Sequence, residues 1–307
     1  MPVLAVDIGG TKLAAALVGD DGAVRRALRA PTDPADPWAA LLELCRSVVG
    51  ADAVDGVGIG CGGPMTWPEG SVSPLNIPAW RGFPLRASLS EAFPEVPVLI
   101  HNDAVCVAIG EHWRGAGRKV DDLLGMVVST GVGGGLILSG RVVDGATGNA
   151  GHVGHIVVEP DGPICRCGGQ GCLEAVARGP AVVAWAAARG CAARDGRELS
   201  ALAAEGDEAA VAALARAGRA VGLGIASAAA LLDVRLVAVG GGLSQAGEPF
   251  WGPLREELAV RARLDFLAGL RVVMAELGQD AGLVGAAALV LAPDRYGNRR
   301  AGQPAEK

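Results

Sequence analysis

The sequence predicts an α/β protein built from two similar halves, and three observations predict it. A glycine hairpin opens the chain, a second of the same design recurs at 125–145, and buried strand-like runs alternate with helical ones around them. With 307 residues and 50% hydrophobic content, the chain can bury the core of one large domain or of two modest ones.

The first run, VLAVDIGGTKLAAALVGDDG, reads as strand, glycine turn, strand and DDG turn, with an acid and the glycines at the first bend. VDGVGIGCGGP (54–64) and VPVLIHND (96–103) read as buried strands that end in glycine or polar loops, and AVCVAIGEHWRGAG reads as a helix. GMVVSTGVGGGLILSGRVVDG then repeats the plan of the opening hairpin. From 180 to 231, an Ala-rich stretch with Leu and Val at helical spacing reads as several helices, followed by the strand and loop VRLVAVGGG. DAGLVGAAALVL reads as the last helix, and the polar tail APDRYGNRRAGQPAEK is expected to fray.

Charge narrows the partners. Twenty-seven Lys and Arg stand against 33 Asp and Glu, net −6, without a long basic run, which argues against nucleic acid and for small molecules. MPVLAVDIGG has no charged leader region, and Gly or polar residues punctuate the apolar runs, so a cytoplasmic protein without a membrane segment is expected. Three of the seven cysteines crowd into CRCGGQGC, and in a reducing compartment such a cluster favours metal over disulfides.

Candidate sites follow from residue type and spacing. Asp7, Gly9, Gly10, Thr11 and Lys12 form a turn whose backbone N–H groups and hydroxyl can approach phosphate oxygens. Taken alone it is as readily a tight hairpin. A second glycine hairpin (Ser129, Thr130, Gly131, Gly133, Gly134, Gly135) and a third loop (Gly240, Gly241, Gly242) after a strand suit a nucleotide held between two domains. Asn102 and Asp103 end an apolar strand, where open α/β sheets place ligands. Asp103 can accept the proton of an attacking hydroxyl and Asn102 can orient a neighbouring one, although both residues also cap helices well.

His155, Cys165, Cys167 and Cys172 supply one imidazole and three thiolates, a closed tetrahedral set for structural zinc. Glu174 follows the last cysteine by two residues, so a metal there would fix a carboxylate. His101 and His112 read as surface or packing residues, and Trp67 and Trp80, in a Pro-rich loop, as core or lid packing.

Together these residues resemble the ROK family of sugar kinases, named for repressors, open reading frames and kinases, over nearly the whole chain. VSTGVGGGL, Gly145 and GHVGH are similar to the family signature, CRCGGQGCLE to its zinc segment, DIGGTK to its first phosphate loop, HNDA to its catalytic loop and DAGLVGAAAL to its closing helix. The resemblance implies an actin-like, ribonuclease-H-like duplicated α/β fold with ATP and sugar in an interdomain cleft. It implies a small domain over 1–115, joined by the helix at about 280–293, and a large domain over 116–279 carrying the zinc loop. By the same resemblance Asp103 is the general base that deprotonates a sugar 6-hydroxyl for attack on the ATP γ-phosphate, with Mg2+ on the phosphates. Asn102 and Glu174 would hold sugar hydroxyls, His155 would bind zinc through one ring nitrogen and sugar through the other, and Gly63 and Asn76 would add sugar contacts. Family members are commonly homodimers or homotetramers.

One position departs from the family pattern. Its glucokinases usually read Glu-x-Gly-His where this chain reads His152, Val153, Gly154, His155. An imidazole can donate where a carboxylate only accepts, which changes what is tolerated near C1 and C2 of the sugar. The histidine, with DIGGTKLAAAL, looks like the bacterial N-acetylmannosamine kinases, whereas LNIPAWRGFPL is closer to the glucokinases. Glucose, N-acetylmannosamine and another amino-hexose such as kanosamine or N-acetylglucosamine stay open as substrates. A family repressor would carry a winged helix-turn-helix before the first hairpin, where only MPVLAV precedes Asp7. A dinucleotide-binding dehydrogenase fails because GTK leads into a second strand and no Gly-x-Gly-x-x-Gly opens a helix. A sugar-binding protein without turnover is a third alternative, against which Asp103 and the glycine loops argue.

Overall fold

The computed structural model describes residues 1–10, 12–33, 35–74 and 76–297. They form two compact units: Met1–Asp121, Gly135–Ala150 and the segment from Gln279 make the first, and Asp122–Gly134 with Gly151–Gly278 the second.

In the first unit, β1 (Val3–Ile8), β2 (Lys12–Val18) and β3 (Val24–Pro31) form an antiparallel meander, and α1 (Pro37–Val49) leads to β4 (Val57–Cys61). A short hairpin, β5 (Met65–Thr66) and β6 (Ser71–Val72), precedes α2 (Leu85–Ala92), β7 (Val98–Asn102) and α3 (Asp103–Arg114). The sheet order is β3-β2-β1-β4-β7, with β1 and β4, and β4 and β7, parallel. β1 and β2 read as unbroken apolar runs because both faces are covered, by α1 on one side and by α9 (Ala281–Leu291) on the other. β3 is an exposed edge with three Arg among its eight residues, and so carries no apolar periodicity. Asp36 caps α1 by accepting the N–H of Ala39, and Pro37 supplies the first helical position.

α9 packs on α3, β4 and β1 at backbone distance. At Gly285 a Cβ would fall 1.6 Å from the carbonyl oxygen of Cys106, so only glycine lets these two helices meet. The polar tail after α9 is expected to fray, but residues 293–296 are helical. α10 (Pro293–Tyr296) docks because Tyr296 is fully buried, with its hydroxyl 2.7 Å from His112 Nδ1. Residues 298–307 lie outside the described residues.

The second unit repeats the plan. β8 (Leu123–Val128), β9 (Val132–Leu138) and β10 (Arg141–Val142) form the hairpin strands, and β11 (Leu236–Gly240) runs parallel to β8 and to β12 (Arg271–Met274). The order β10-β9-β8-β11-β12 matches that of the first sheet strand for strand. The first three residues of β9 belong to the second unit; the rest of β9 and all of β10 belong to the first. Helices α4 (Leu173–Ala177), α5 (Gly179–Ala187), α6 (Gly196–Ala204), α7 (Glu208–Leu232) and α8 (Glu248–Arg261) complete this half. Among the described helices, α7 is long and apolar enough to cross a bilayer, but it buries a face of Ala and Gly against α8.

Candidate active site

In the first unit the site grows from the carboxyl ends of β1, β4 and β7. The bend after β1 is closed by the Gly9 N–H bonding to the Lys12 carbonyl at 2.9 Å, and the Thr32 hydroxyl donates to the Gly9 carbonyl at 2.9 Å. A Cβ on Gly10 would come within 2.2 Å of the Asn76 Cβ, so the first phosphate loop and the sugar-loop candidate Asn76 touch. Thr11 lies outside the described residues, and Lys12 is exposed at the start of β2.

Asn102 ends β7 and caps α3, its Oδ1 accepting the Ala104 N–H at 3.0 Å. The capping role and the sugar role coexist, because the Asn102 Nδ2 is left beside Gly63, 3.5 Å from where a Cβ there would stand. Asp103 opens α3, and its Oδ1 accepts the same Ala104 N–H at 2.8 Å. Its Oδ2 lies 3.7 Å from the position of a Cβ on Gly62. Burial, and after it the neighbouring Asp103 carboxylate, push Asp7 up to about 6, against the pull of Lys12 and Arg29. A carboxyl so raised is one that a divalent cation would return to its charged form. Cys61 and Cys106 lie near both acids, and burial above all pushes their thiols well up, so neither is a nucleophile.

In the second unit the bend after β8 is closed by the Ser129 N–H on the Gly131 carbonyl at 2.8 Å. The loop after β11 lies against it: a Cβ on Gly241 would stand 2.4 Å from the Val128 carbonyl oxygen, and one on Gly242 4.0 Å from Ser129 Oγ. Thr130 and Gly131 sit in the bend. Gly133 and Gly134 do not, because both fall inside β9; a Cβ on Gly134 would meet the Gly125 carbonyl oxygen at 2.8 Å and Val153 at 2.9 Å, so that glycine serves strand packing. Glu174, in the first turn of α4, accepts the Val132 N–H at 3.0 Å and lies over Gly131. The His152 and His155 rings stack with centroids 6.1 Å apart, with His152 exposed.

The donor atoms of His155, Cys165, Cys167 and Cys172 all lie within 4.8 Å of one another. Cys167 and Cys172 Sγ are 3.8 Å apart, and Cys165 Sγ is 3.9 Å from His155 Nδ1. A zinc–sulfur bond of about 2.3 Å makes the edge of a tetrahedron about 3.8 Å, so these two separations match those around a zinc ion and the four donors could hold one. Gly171 makes the wrap possible: its φ is +72°, and a Cβ there would overlap the Glu159 carbonyl oxygen at 1.6 Å. With Nδ1 on the metal side, His155 keeps Nε2–H as a donor elsewhere.

This geometry sits in a chain whose residues 3–292 match the ROK family model. The chain belongs to the ROK family. It is 32% identical to a glucokinase of Thermotoga maritima over 310 residues, covering 94% of this chain and 97% of the relative. It is 36% identical to an N-acetylmannosamine kinase of Escherichia fergusonii over 296 residues, covering 94% and 98%. A ROK family glucokinase from Streptomyces griseus, solved with glucose and AMPPNP, superposes with a TM-score of 0.84 at 34% identity over 94% of this chain and 99% of that one. The fold is therefore the actin-like α/β fold that the motifs led us to expect.

Sequence reasoning passed over several residues that this ROK protein places at or behind the site. Thr32 anchors the first glycine turn, and Arg29 adds a positive charge near Asp7. His101 is buried and bonded to Asp144, 43 positions away, a pairing with no local signature. Trp80 is 2% exposed and stacked on Phe83, and Trp67 packs on His101, so both tryptophans are packing residues as expected.

Proposed function

We propose that this ROK protein is an ATP-dependent kinase that phosphorylates the 6-hydroxyl of a hexose or amino-hexose. The observation that carries the reading is Asp103: a carboxylate at the β7–α3 junction, beside Asn102 and facing the glycines that follow β4, with Oδ2 nearest Gly62. That oxygen takes the hydroxyl proton as the sugar oxygen attacks the γ-phosphate. Asn102 and Gly63 orient the hydroxyl beside it, and Asn76 adds a contact from the loop against Gly10.

Glu174 and the Nε2–H of His155 hold further hydroxyls, and His152 meets the sugar near C1 and C2. Zinc on His155, Cys165, Cys167 and Cys172 keeps His155 and Glu174 in place and takes no part in the transfer. The bends at Asp7–Lys12 and Ser129–Gly131, with Gly241 and Gly242, supply backbone N–H groups to the ATP phosphates. Asp7 is the residue to hold Mg2+, which when bound draws charge from those phosphates.

None of the seven cysteines is in a disulfide, and three of them stand together as metal ligands, which fits a cytoplasmic enzyme. Exposed Leu231, Val260, Leu264 and Phe266 on the second unit offer apolar surface for a homodimer or homotetramer. The test is ADP release with MgATP on glucose, N-acetylmannosamine, N-acetylglucosamine, mannose and kanosamine. A kcat/KM on one sugar well above the others is expected. Zinc-loaded, folded protein that turns over none of them but binds a sugar by calorimetry would make it a binding protein.

A further inference from the structure

The loop that carries Asn102 and Asp103 is held from behind by side chains that the proposed phosphotransfer does not use. His101, 1% exposed, is the next to last residue of β7. Its Nδ1 accepts the backbone N–H of Asn102 at 2.8 Å, and its Nε2 is 3.0 Å from Asp144 Oδ1. A ring nitrogen that accepts from an amide carries no proton, so His101 is the neutral Nε2–H tautomer and donates to the Asp144 carboxylate. The pair is a charge-assisted hydrogen bond between a neutral ring and an anion.

Both partners are set by packing. The His101 ring lies against Trp67, with centroids 5.0 Å apart at 43°. Trp67 in turn fills the space over Gly148, where a Cβ would come within 2.5 Å of the indole. The Asp144 carbonyl accepts the Ala150 N–H at 3.0 Å and closes the loop between them. A core histidine needs only any carbonyl to be satisfied. This one instead grips the peptide that leads into the sugar-orienting amide and the base, and its acid partner opens the loop that runs on to His152.

We infer that His101 and Asp144 are positioning residues for the transfer: the chain Asp144–His101–Asn102 N–H fixes the peptide before the base and ties it to the loop leading to the substrate-selecting residue. The inference rests on Asp103 being the base. A shift of the reacting group by a fraction of an ångström lowers the rate while leaving nucleotide binding alone.

The test is steady-state kinetics of Asp144→Ala, Asp144→Asn, His101→Gln and His101→Asn, with melting temperature and zinc content measured on each. Asp144→Ala and His101→Gln, which keeps a donor for Asp144 but loses the acceptor for Asn102, should lower kcat about 10- to 100-fold with KM for MgATP within about threefold. Asp144→Asn keeps an acceptor oxygen, and His101→Asn places an oxygen near the site of Nδ1; both should recover most of the loss. Wild-type kcat, within threefold, in folded Asp144→Ala and His101→Gln overturns the inference. So does a loss that follows melting temperature across the four variants instead of the hydrogen bonds they retain. Asp103→Asn in the same series separates the two readings: retained turnover there removes the base itself, whereas its collapse beside unaffected His101 and Asp144 variants removes only the positioning pair.

Discussion

The first sheet and the second follow one strand order, three antiparallel strands on one side and two parallel strands beyond, but their loops carry different chemistry. In the first unit, side-chain carboxylates gather at the strand ends, Asp7 as the next to last residue of β1 and Asp103 just after β7. In the second, the corresponding bend is Ser129, Thr130 and Gly131, uncharged, and the added chemistry is a four-donor loop between β10 and α4. Buried carboxylates act directly on a reacting proton or a cation but cost stability, as the raised Asp7 shows. Backbone amides and a metal-fixed loop hold a ligand with little charge left uncompensated, because a zinc ion largely balances the thiolates around it. On the proposed function the duplicated scaffold separates reacting groups from holding groups, and variants in each half should fail in different kinetic constants.

The sharpest break comes in the first unit. Asp103→Asn should lower kcat by about 10²–10⁴-fold while sugar KM and melting temperature stay near those of the wild type. A variant with a tenth or more of wild-type kcat would remove Asp103 from the chemistry. In the second unit, Cys167→Ser should release the metal and raise sugar KM by about 10- to 100-fold, because His155 and Glu174 lose their anchor. Zinc content by atomic absorption and KM for MgATP are the two readouts. Full zinc occupancy in the purified variant would break the ligand assignment, and an equal rise in KM for MgATP would erase the contrast between the halves.

A smaller effect probes selection within the second unit. His152→Glu replaces a ring that can donate by an acceptor, and should move the ratio of kcat/KM for glucose over N-acetylmannosamine by about tenfold toward glucose. An unchanged ratio would mean that His152 does not meet the sugar.

How much of this was legible in the sequence differs between the same two regions. The paired hairpins could be read because β1, β2 and β8 are covered on both faces and so appear as unbroken apolar runs around glycine turns. β3 could not, because five consecutive exposed positions leave no apolar pattern. The zinc loop was fully visible, since its three cysteines lie within eight residues and their spacing is the signal. Whether a glycine of the second hairpin lies in the bend or in a strand was not legible: Gly133 and Gly134 fall inside β9, where Gly134 allows a close approach, since glycine marks close packing inside a strand as well as a turn. The His101–Asp144 bond and the docked Tyr296 depend on contacts between distant positions, 43 and 184 residues apart, which no local pattern encodes.

The smallest effect tests the cost assigned to the first unit. Asp7 sits at about 6 in the fold against an ordinary 3.8, so the native state binds its proton more tightly than the unfolded chain. Between these values the folded state holds more protons, and stability therefore falls as pH rises from about 4 to about 6 and stays reduced above. Asp7→Asn cannot ionise and escapes that loss. It should gain little at pH 4 and about 3 kcal/mol at pH 8, where Asp7 is charged; the raised value is already net of the pull of Lys12 and Arg29. For units of this size that is a rise in melting temperature of about 6–12 °C at pH 8, measured without nucleotide or magnesium, alongside a loss of turnover. A gain of the same size at both pH values would trace it to packing instead of charge. No gain at pH 8 would mean that the carboxylate is well solvated in the free protein, and the contrast between a costly reacting half and a neutral holding half would then rest on Asp103 alone.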